Sequence, residues 1–469
     1  MATSVDVLII GAGLSGLQAA LDVHDAGHSF TIIEARDRVG GKTYSVSRPD
    51  GKGLQEMGAA WTNDTNQSMY WSYCQKFGLT PVVQNIKGTV ACEDTDGKCH
   101  HFNYGGLPNF AEAEVRNMID IRDLIEATAR DSETFRQPRR NELDQQTLEQ
   151  WIIQAGAGPR AVQTVRLWTH GMLGQDPSDV SALAFLELAR GGLGIANLRH
   201  DGKDGAQYLR LEEGTQAVAQ GMAKLLPSGS IKLNCAANAV TAHDQGTKYT
   251  TRLVDGRTIT SRRVIVSIPG PAYKNITFSP PLPPSRLIYT TAVRYGCYVK
   301  YICLFKTPFW RRSGACGLAQ SFKGPLSHCR DTSVDSQSNY ALTCFLVSRP
   351  GRQWYAKSSN EREAAILEQV SSLFGLAESA VRDEFIGSMM SPWMEDQWAG
   401  WGCPFAMAPP GIMGQRDDGQ LITEPFGGMY FVGTELTNEW RGYMEGALRS
   451  GKRGAAQLLQ DLRSESAKL

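Results

Sequence analysis

The chain has 469 residues, with 48 Lys and Arg against 48 Asp and Glu, so its formal net charge is zero. This balance provides no overall field that would attract nucleic acid or an anionic membrane surface. No apolar run reaches the roughly 18 residues of a spanning helix, so no membrane span is predicted. The ten cysteines are scattered without a compact framework or zinc-ligand spacing, which favours reduced thiols, an intracellular protein and no metal site.

Residues 1–43 begin with an apolar run at 5–10, which predicts a strand buried on both faces. The chain enters this strand too early for a signal peptide to be expected. A turn with the spacing Gly-x-Gly-x-x-Gly follows, formed by Gly11, Gly13 and Gly16. In such a turn the first glycine permits the tight bend, the second lets a pyrophosphate approach the backbone, and the third lets helix and strand pack closely.

A helix is predicted over 17–26, ended by Gly27, and its N-terminus would offer free amides and a positive dipole end to phosphates. The second strand, over 30–33, finishes in Glu34, whose carboxylate can accept from ribose hydroxyls. Because strand, turn, helix, strand and acid occur in this order, we interpret the segment as a dinucleotide-binding unit. The alternative is the glycine-rich turn of any α/β protein.

Residues 35–43 place two arginines, a glycine pair and a lysine directly after Glu34. A second glycine turn with cations suits a dinucleotide whose pyrophosphate is held from two sides. The segment resembles the FAD-binding signature of the flavin-dependent amine oxidase family, which implies FAD as the cofactor. Most members have Arg where this chain has Lys42, and Lys keeps the charge but loses the bidentate fork.

The middle of the chain changes character from about residue 80, where helix formers become frequent. Helices are predicted over 110–130, 143–154 and 216–226. Alternating and then continuous apolar residues predict strands over 230–240, 248–254 and 259–269.

An apolar run over 296–305 is interrupted by one lysine, Lys300. A lysine in such a run is costly without a partner, and the alternative is an edge lysine on the solvent face. With Pro308-Phe309-Trp310 after it, Lys300 resembles the amine oxidase lysine that holds a water against flavin N5. The resemblance implies that its cation stabilises the anion formed as reduced flavin meets oxygen.

Two motifs near the C-terminus, at 433–435 and 440–447, resemble the C-terminal flavin motif of monoamine oxidases. The helix that starts at Met444 would direct its positive end at the pyrimidine end of the flavin. Cys403 has the spacing of the cysteine that carries the flavin through a thioether in membrane-bound monoamine oxidases. A buried, unreacted thiol is the alternative.

Pro404 stands where the family usually places an aromatic residue opposite Tyr443. In the family the two rings form a cage around the amine. Phe405 or Trp401 would have to supply the second ring, and otherwise the cage is open. The sequence therefore leaves open whether the substrate is a simple arylalkylamine.

The resemblance implies catalytic roles for Lys300 and Tyr443. It implies contacts with the cofactor from Gly11, Gly13, Ser15, Gly16, Glu34, Ala35, Arg36, Gly41, Lys42, Gly58, Ala237, Cys403, Gly433, Glu435 and Met444. It implies contacts with the substrate from Gln207, Phe345 and Phe405. An amino-acid oxidase would also need a cavity arginine, for which Arg210 and Arg294 are candidates.

The predicted fold is α/β, with a Rossmann-like FAD-binding domain intertwined with an α+β substrate domain, as in monoamine oxidases. We assign residues 1–80, 206–290 and 396–469 to the FAD-binding domain and residues 81–205 and 291–395 to the substrate domain. The chain is long enough for both.

The predicted function is that of a FAD-dependent amine oxidase, which oxidises a C–N bond to an imine and reduces O2 to hydrogen peroxide. The alternatives are a biosynthetic flavin oxidase or desaturase acting on a cyclic amine or a non-amine, and a flavin-binding scaffold without turnover. Ala467-Lys468-Leu469 resembles the receptor-read peroxisomal address, which predicts a peroxisomal import receptor as partner. The protein is otherwise expected in the cytoplasm, and the sequence leaves its oligomeric state open, a homo-oligomer included.

Overall fold

The structure is a computed structural model that describes residues 3–414 and 420–466. Its strands are β1 (Thr3–Ile10), β2 (Phe30–Ile33), β3 (Ser45–Ser47), β4 (Leu54–Glu56), β5 (Pro81–Val83), β6 (Thr89–Glu93), β7 (Cys99–Asn103), β8 (Leu209–Leu211), β9 (Ile231–Lys232), β10 (Ala237–His243), β11 (Lys248–Leu253), β12 (Thr258–Val266), β13 (Thr277–Ser279), β14 (Tyr298–Phe305), β15 (Ala315–Ser321), β16 (Leu326–Asp331), β17 (Tyr340–Val347), β18 (Phe385–Ser391) and β19 (Met429–Phe431).

Its helices are α1 (Leu14–Asp25), α2 (Ser68–Lys76), α3 (Glu112–Arg130), α4 (Arg139–Asp144), α5 (Leu148–Gln154), α6 (Pro159–Leu173), α7 (Ala182–Gly191), α8 (Ile195–Arg199), α9 (Gln216–Lys224), α10 (Pro284–Ala292), α11 (Phe309–Arg312), α12 (Ser348–Tyr355), α13 (Ser359–Phe374), α14 (Glu378–Glu384), α15 (Gln420–Thr423) and α16 (Met444–Ser466). Among these described helices, none combines the length and the apolar character needed to cross a bilayer.

The first large sheet has eight strands, seven of them in the order β13-β10-β11-β12-β1-β2-β9. The eighth, β19, pairs with the end of β12, past the segment of β12 that pairs with β11. β1 lies near its centre and pairs in parallel with both β2 and β12. Leu8 and Ile10 pack into the apolar cluster on one face of the sheet, and Val7 and Ile9 pack into the cluster on the other. The predicted strand with two buried faces is thereby confirmed.

The helix α1 covers one face of this sheet beside the long helix α16. Its close approach depends on Gly16, because a Cβ there would lie 2.0 Å from the carbonyl oxygen of Gly11. Gly11 itself has a φ of +105°, which favours glycine. The two glycines therefore fix the tight turn and the helix packing that the sequence assigned to them.

The second large sheet has seven strands in the order β18-β14-β17-β16-β15-β6-β7. All its neighbouring pairs are antiparallel except β6 with β15. Strand β14 lies between β17 and β18, with Lys300 opposite Phe345 on one side and Ser391 on the other. Lys300 therefore projects from inside the sheet rather than from an edge.

The helix predicted over 143–154 is wrong, because the chain forms two helices there, α4 and α5. Thr147 begins α5 with a capping box, its hydroxyl accepting from the amide of Gln150 at 3.1 Å. Asp144 ends α4 and accepts from the Ser181 hydroxyl at 2.7 Å. A local cap and a long-range hydrogen bond together interrupt a segment of good helix formers.

Candidate active site

A cavity of about 310 Å³ extends between the two large sheets, from the glycine turn after β1 to Phe345 on β17. It is lined by every residue to which the resemblance assigned a catalytic, cofactor or substrate role, apart from Gly16. Gly16 lies beneath the turn, where it allows α1 to pack. The fold thus brings residues from distant parts of the chain to one place, while their individual roles toward a cofactor stay predictions.

Glu34 is buried at the end of β2, with only 4 % of its surface exposed. Its two carboxylate oxygens accept from the backbone amides of Ala12 at 2.8 Å and Arg36 at 2.9 Å. A Cβ added at Gly13 would meet no protein atom within 4 Å, so open cavity space borders the turn. This combination of a held acid and a bare backbone fits a dinucleotide.

Two helix N-termini reach the same cavity. Ser15 in the first turn of α1 and Met444 at the start of α16 both line it. The Ser15 hydroxyl is 2.8 Å from the Ser267 hydroxyl, which ties α1 to the end of β12. The first amides of an α-helix have no partner within the helix, so both ends can donate to an anionic group.

Lys42 connects the glycine-rich segment to the C-terminal part of the chain. Its ammonium group donates to the Tyr295 hydroxyl at 2.6 Å and to the Pro404 carbonyl oxygen at 3.0 Å. It also forms an ion pair with Glu435 at 3.5 Å. Tyr295 donates to the same carboxylate at 3.1 Å. Lys42 lines the cavity with part of its charge already balanced by Glu435.

Lys300 is 5 % exposed, which excludes the alternative of an edge lysine facing solvent. Its ammonium group donates to the carbonyl oxygens of Glu56 at 2.8 Å and Gly58 at 2.5 Å. Burial lowers the pKa of Lys300 from 10.5 to about 8, with the charge of Glu56 acting in the opposite direction. A buried lysine is therefore held as a cation at neutral pH on the wall of the cavity.

Cys403 lines the cavity, with its Sγ 3.8 Å from the carbonyl oxygen of Tyr298. Burial raises the pKa of the Cys403 thiol to about 12, although Lys42 and Lys300 act to lower it. The thiol is accessible from the cavity and uncharged at neutral pH. The position allows a bond to a bound cofactor without demonstrating one.

Phe405 and Tyr443 both line the cavity, whereas Trp401 does not. Phe405 packs so tightly on Gly442 that a Cβ there would lie 2.1 Å from its ring. The Trp401 ring instead contacts the ammonium group of Lys274, 3.7 Å from its centroid. Of the two candidates for the second cage ring, Phe405 is therefore the one that reaches the site.

The far end of the cavity is walled by aromatic rings. Phe345 stacks on His328 with centroids 4.4 Å apart, and it also contacts Tyr298 at 5.4 Å and Trp61 at 6.1 Å. Gln207 lines this end and fixes its position by donating to the Leu198 carbonyl oxygen at 2.8 Å. Such walls exclude water and favour an apolar or planar part of a ligand.

Sequence reasoning missed Arg330, which lies on β16 and lines the aromatic end. The two arginines that it considered do not line the cavity. Arg210 is buried and donates to the carbonyl oxygens of Thr332 at 2.9 Å and Ser333 at 2.7 Å. The strand over 326–331 is mostly polar, with only Leu326 and Cys329 apolar, so its one arginine resembles an ordinary solvent-facing residue in the sequence.

Comparison with known proteins adds a family match and several relatives. The family model described as flavin containing amine oxidoreductase matches residues 14–459. A probable flavin-containing monoamine oxidase A of Dictyostelium discoideum is 28% identical, covering 98% of this chain and 99% of that protein. An amine oxidase [flavin-containing] B of Canis lupus familiaris is also 28% identical, covering 98% of this chain and 87% of its own length.

Solved structures with the same fold include two oxidases. Cyclohexylamine oxidase from Brevibacterium oxydans superimposes with a TM-score of 0.89 at 26% identity, covering 98% of this chain and 99% of that one. Putrescine oxidase bound to putrescine superimposes with a TM-score of 0.90 at 24% identity, covering 98% and 100%. The second likeness is evidence for the fold alone. The predicted α/β fold, with its Rossmann-like domain, is confirmed.

Proposed function

This chain belongs to the family of flavin-containing amine oxidoreductases and is a flavin-dependent amine oxidase, and from that premise we propose its cofactor, its products and its location. The cofactor is FAD and the final electron acceptor is O2. The substrate loses two electrons and two protons, one from its C–H bond and one from its N–H bond, to become an imine. O2 gains both to become hydrogen peroxide, and water splits the imine into a carbonyl compound and the released amine or ammonia.

The observation that carries this proposal is the single cavity that joins the dinucleotide-type turn to Lys300 and the aromatic end. Glu34, the turn and the N-termini of α1 and α16 would hold the dinucleotide. A bound flavin supplies a two-electron acceptor that the protein's own side chains lack. Gln207, Phe345 and Tyr443 would position the amine in a cavity with little water, so that no side-chain base is required if the amine enters neutral.

The named relatives favour an amine oxidase over the alternative of an oxidase or desaturase with a non-amine substrate. Anaerobic titration of the purified protein with a panel of amines tests the proposal directly. We expect a yellow protein whose absorbance is bleached by some amines, followed by peroxide release when air is admitted. A colourless protein that takes up no added FAD, or a yellow one that no amine bleaches, would contradict it.

The site for FAD is tested separately by Glu34→Ala. A buried charged acceptor for the ribose contributes about 1.5–3 kcal/mol, so we expect FAD to bind roughly ten- to a hundredfold more weakly. Asp37→Ala is the matched control, because Asp37 is exposed and does not line the cavity. Equal FAD affinity in the two variants, measured by titration of the apoprotein, would remove Glu34 from the cofactor site.

The location follows from Ala467-Lys468-Leu469, which lie outside the described residues. We place the protein in peroxisomes, delivered by the import receptor that reads such tripeptides. An enzyme that releases hydrogen peroxide is suited to a compartment that destroys it. The covalent link through Cys403 belongs to the same proposal and is supported by the position of its thiol on the cavity wall.

A further inference from the structure

Arg330 is the charged residue at the aromatic end of the cavity that the proposed reaction does not use. It lies on β16, is 15 % exposed, and lines the cavity. Its Nε donates to Asp201 at 2.7 Å. Burial alone would lower the pKa of Arg330, but the ion pair with Asp201 raises it above its usual value, so Arg330 is held on the cavity wall as a cation.

The pairing of Arg330 with Asp201 occupies one edge of the guanidinium group. Among the described residues, its Nη1 and Nη2 donate to no protein acceptor, and the second oxygen of Asp201 accepts from the Tyr104 hydroxyl at 3.1 Å. Arg48 shows the contrasting case, since its Nε and Nη2 both donate to Asp50, at 2.8 and 2.6 Å. Arg330 therefore retains two donor groups for a ligand.

The charges around Arg330 leave this end of the cavity positive. Burial, with a further contribution from the charge of Arg330, lowers the pKa of Arg199 to about 10, so Arg199 is a second cation nearby. Burial also holds the pKa of His328 well below its usual value, so that His328 is neutral. Asp201 is the carboxylate paired with Arg330, and it balances one of the two arginine charges.

Arg330 and Lys300 both lie close to the Trp61 ring. The guanidinium carbon of Arg330 and the ammonium nitrogen of Lys300 each lie 5.6 Å from the centroid of the Trp61 ring. The two cations thus flank a single indole. Their separation is therefore at most about 11 Å, so one small molecule can extend from Arg330 to the part of the cavity that Lys300 lines.

We propose that the substrate of this enzyme is an amine that also carries a carboxylate, and that Nη1 and Nη2 of Arg330 bind the carboxylate. The planar pair of donors matches the two oxygens of a carboxylate. Tyr443 and Tyr298, whose hydroxyl groups lie in the field of Arg330, border the same end. This inference rests on the proposed amine oxidation and adds the class of substrate.

Matched pairs of substrates test the inference, namely phenylalanine with phenethylamine and γ-aminobutyrate with butylamine. We expect the wild-type enzyme to have the higher kcat/KM for the carboxylate-bearing member of at least one pair, and the pair that shows it reports whether the carboxylate is α or more distant. In Arg330→Met the ratio of kcat/KM within that pair should fall about a hundredfold. Arg330→Lys should recover part of it, because charge remains but the fork is lost.

Arg199→Met is the matched control, because Arg199 is a nearby, half-buried cation that does not line the cavity. Its substrate ratio should change by less than about threefold, since only long-range attraction is lost. An equal fall of the substrate ratio in Arg199→Met and Arg330→Met would overturn the inference. It would show that a general positive field, and not hydrogen bonds from Nη1 and Nη2 of Arg330, favours the carboxylate. If Arg330→Met does not fold because Asp201 is left unpaired, Arg330→Met with Asp201→Asn replaces it.

Benzoate provides a second readout that needs no turnover. It should perturb the flavin absorbance of the wild-type holoenzyme and compete with amines, whereas benzyl alcohol should do neither at the same concentration. A wild-type enzyme that oxidises only the carboxylate-free amines, with benzoate no better than benzyl alcohol, overturns this inference and leaves the amine oxidase in place. Failure of every amine to bleach the flavin would instead overturn the proposed function.

Discussion

Lys300 carries the first prediction at the scale of single residues. If its cation supports the reaction with oxygen, Lys300→Met should slow flavin reoxidation roughly a hundredfold, since such a charge contributes on the order of 2–4 kcal/mol. Reduction by the amine under anaerobic conditions should change much less. Stopped-flow measurement of the two half-reactions separates these effects, with Lys306→Met as the control, because Lys306 is an exposed lysine directly after the same strand.

The pKa of Lys300 also predicts a pH dependence. Since burial lowers this pKa to about 8, the cation is present below pH 8 and lost above it. The reoxidation rate should therefore fall as the pH rises through about 8, and this inflection should be absent in Lys300→Met. The unfolded chain binds more protons between pH 8 and 10.5, so the contribution of Lys300 to stability rises with pH in that window. A flat profile in the wild-type enzyme would leave Lys300 as a structural residue.

Cys403 carries the second prediction. If the flavin is attached by a thioether, acid precipitation of the wild-type protein should leave the yellow colour in the pellet. Cys403→Ala should move the colour to the supernatant. Cys297→Ala is a suitable control, because Cys297 is a buried thiol that does not line the cavity. Wild-type colour in the supernatant would identify Cys403 as an unreacted thiol.

Lys300 and Arg330 show what sequence can predict about individual residues. Lys300 interrupts an apolar run, and a charge in that setting is conspicuous in the sequence. Arg330 occupies a mostly polar strand and is followed directly by Asp331, so nothing local distinguishes it. Its approach to the cavity depends on how β16 pairs with β15 and β17, and this register is decided by contacts between distant segments.

At the scale of elements, the turn between β1 and α1 allows a prediction, because Gly16 is needed for helix packing and Gly13 for the approach of the cofactor. Gly16→Ala places a Cβ against the Gly11 carbonyl oxygen and should destabilise the apoprotein by roughly 3 kcal/mol. Gly13 has a φ of −72°, and an added Cβ there would point into open space. The Gly13→Ala apoprotein should therefore keep its stability, while its binding of FAD weakens. Thermal unfolding of the apoproteins and FAD titration measure the two effects.

Two results would contradict the assignment of packing to Gly16 and of cofactor binding to Gly13. One is a Gly13→Ala apoprotein as unstable as Gly16→Ala, and the other is a Gly13→Ala protein that binds FAD like the wild type. The first outcome would give Gly13 a packing role. The second would place the cofactor elsewhere on the turn.

Elements were predictable where the determining signals are local. The run of β1, glycine turn, α1 and β2 is encoded in consecutive residues, and the structure reproduces it with ends shifted by a few positions. The break between α4 and α5 has a local signal in the capping box of Thr147 and Gln150, but it also depends on a hydrogen bond from Ser181, 37 positions from Asp144. No helix propensity contains that information.

At the scale of the whole molecule, the first sheet collects its strands from three separated parts of the chain, within 3–33, 231–279 and 429–431. The second sheet collects strands from 89–103 and 298–391. The sequence motifs at the two ends of the chain indicated that these ends meet, because both resemble parts of one flavin site. The domain limits themselves stay a prediction.

The C-terminal tripeptide carries the prediction at this scale. A fluorescent protein fused to the N-terminus, with Ala467-Lys468-Leu469 left free, should give puncta that coincide with a peroxisomal marker in eukaryotic cells. The same fusion without the tripeptide should be diffuse. Diffuse fluorescence in both cases would make the tripeptide a chance occurrence.

The parallel pairing of β1 with β12 also affects the order in which the protein can fold during synthesis. At about 5–20 residues per second, a ribosome needs on the order of ten to fifty seconds to pass from β1 to β12. Throughout that interval one edge of an apolar strand remains open, which is the condition that favours aggregation of a nascent chain. β19 emerges later still, so the first sheet closes after most of the chain has been translated. We therefore expect the yield of folded protein to rise when a chaperone covers this strand edge during translation.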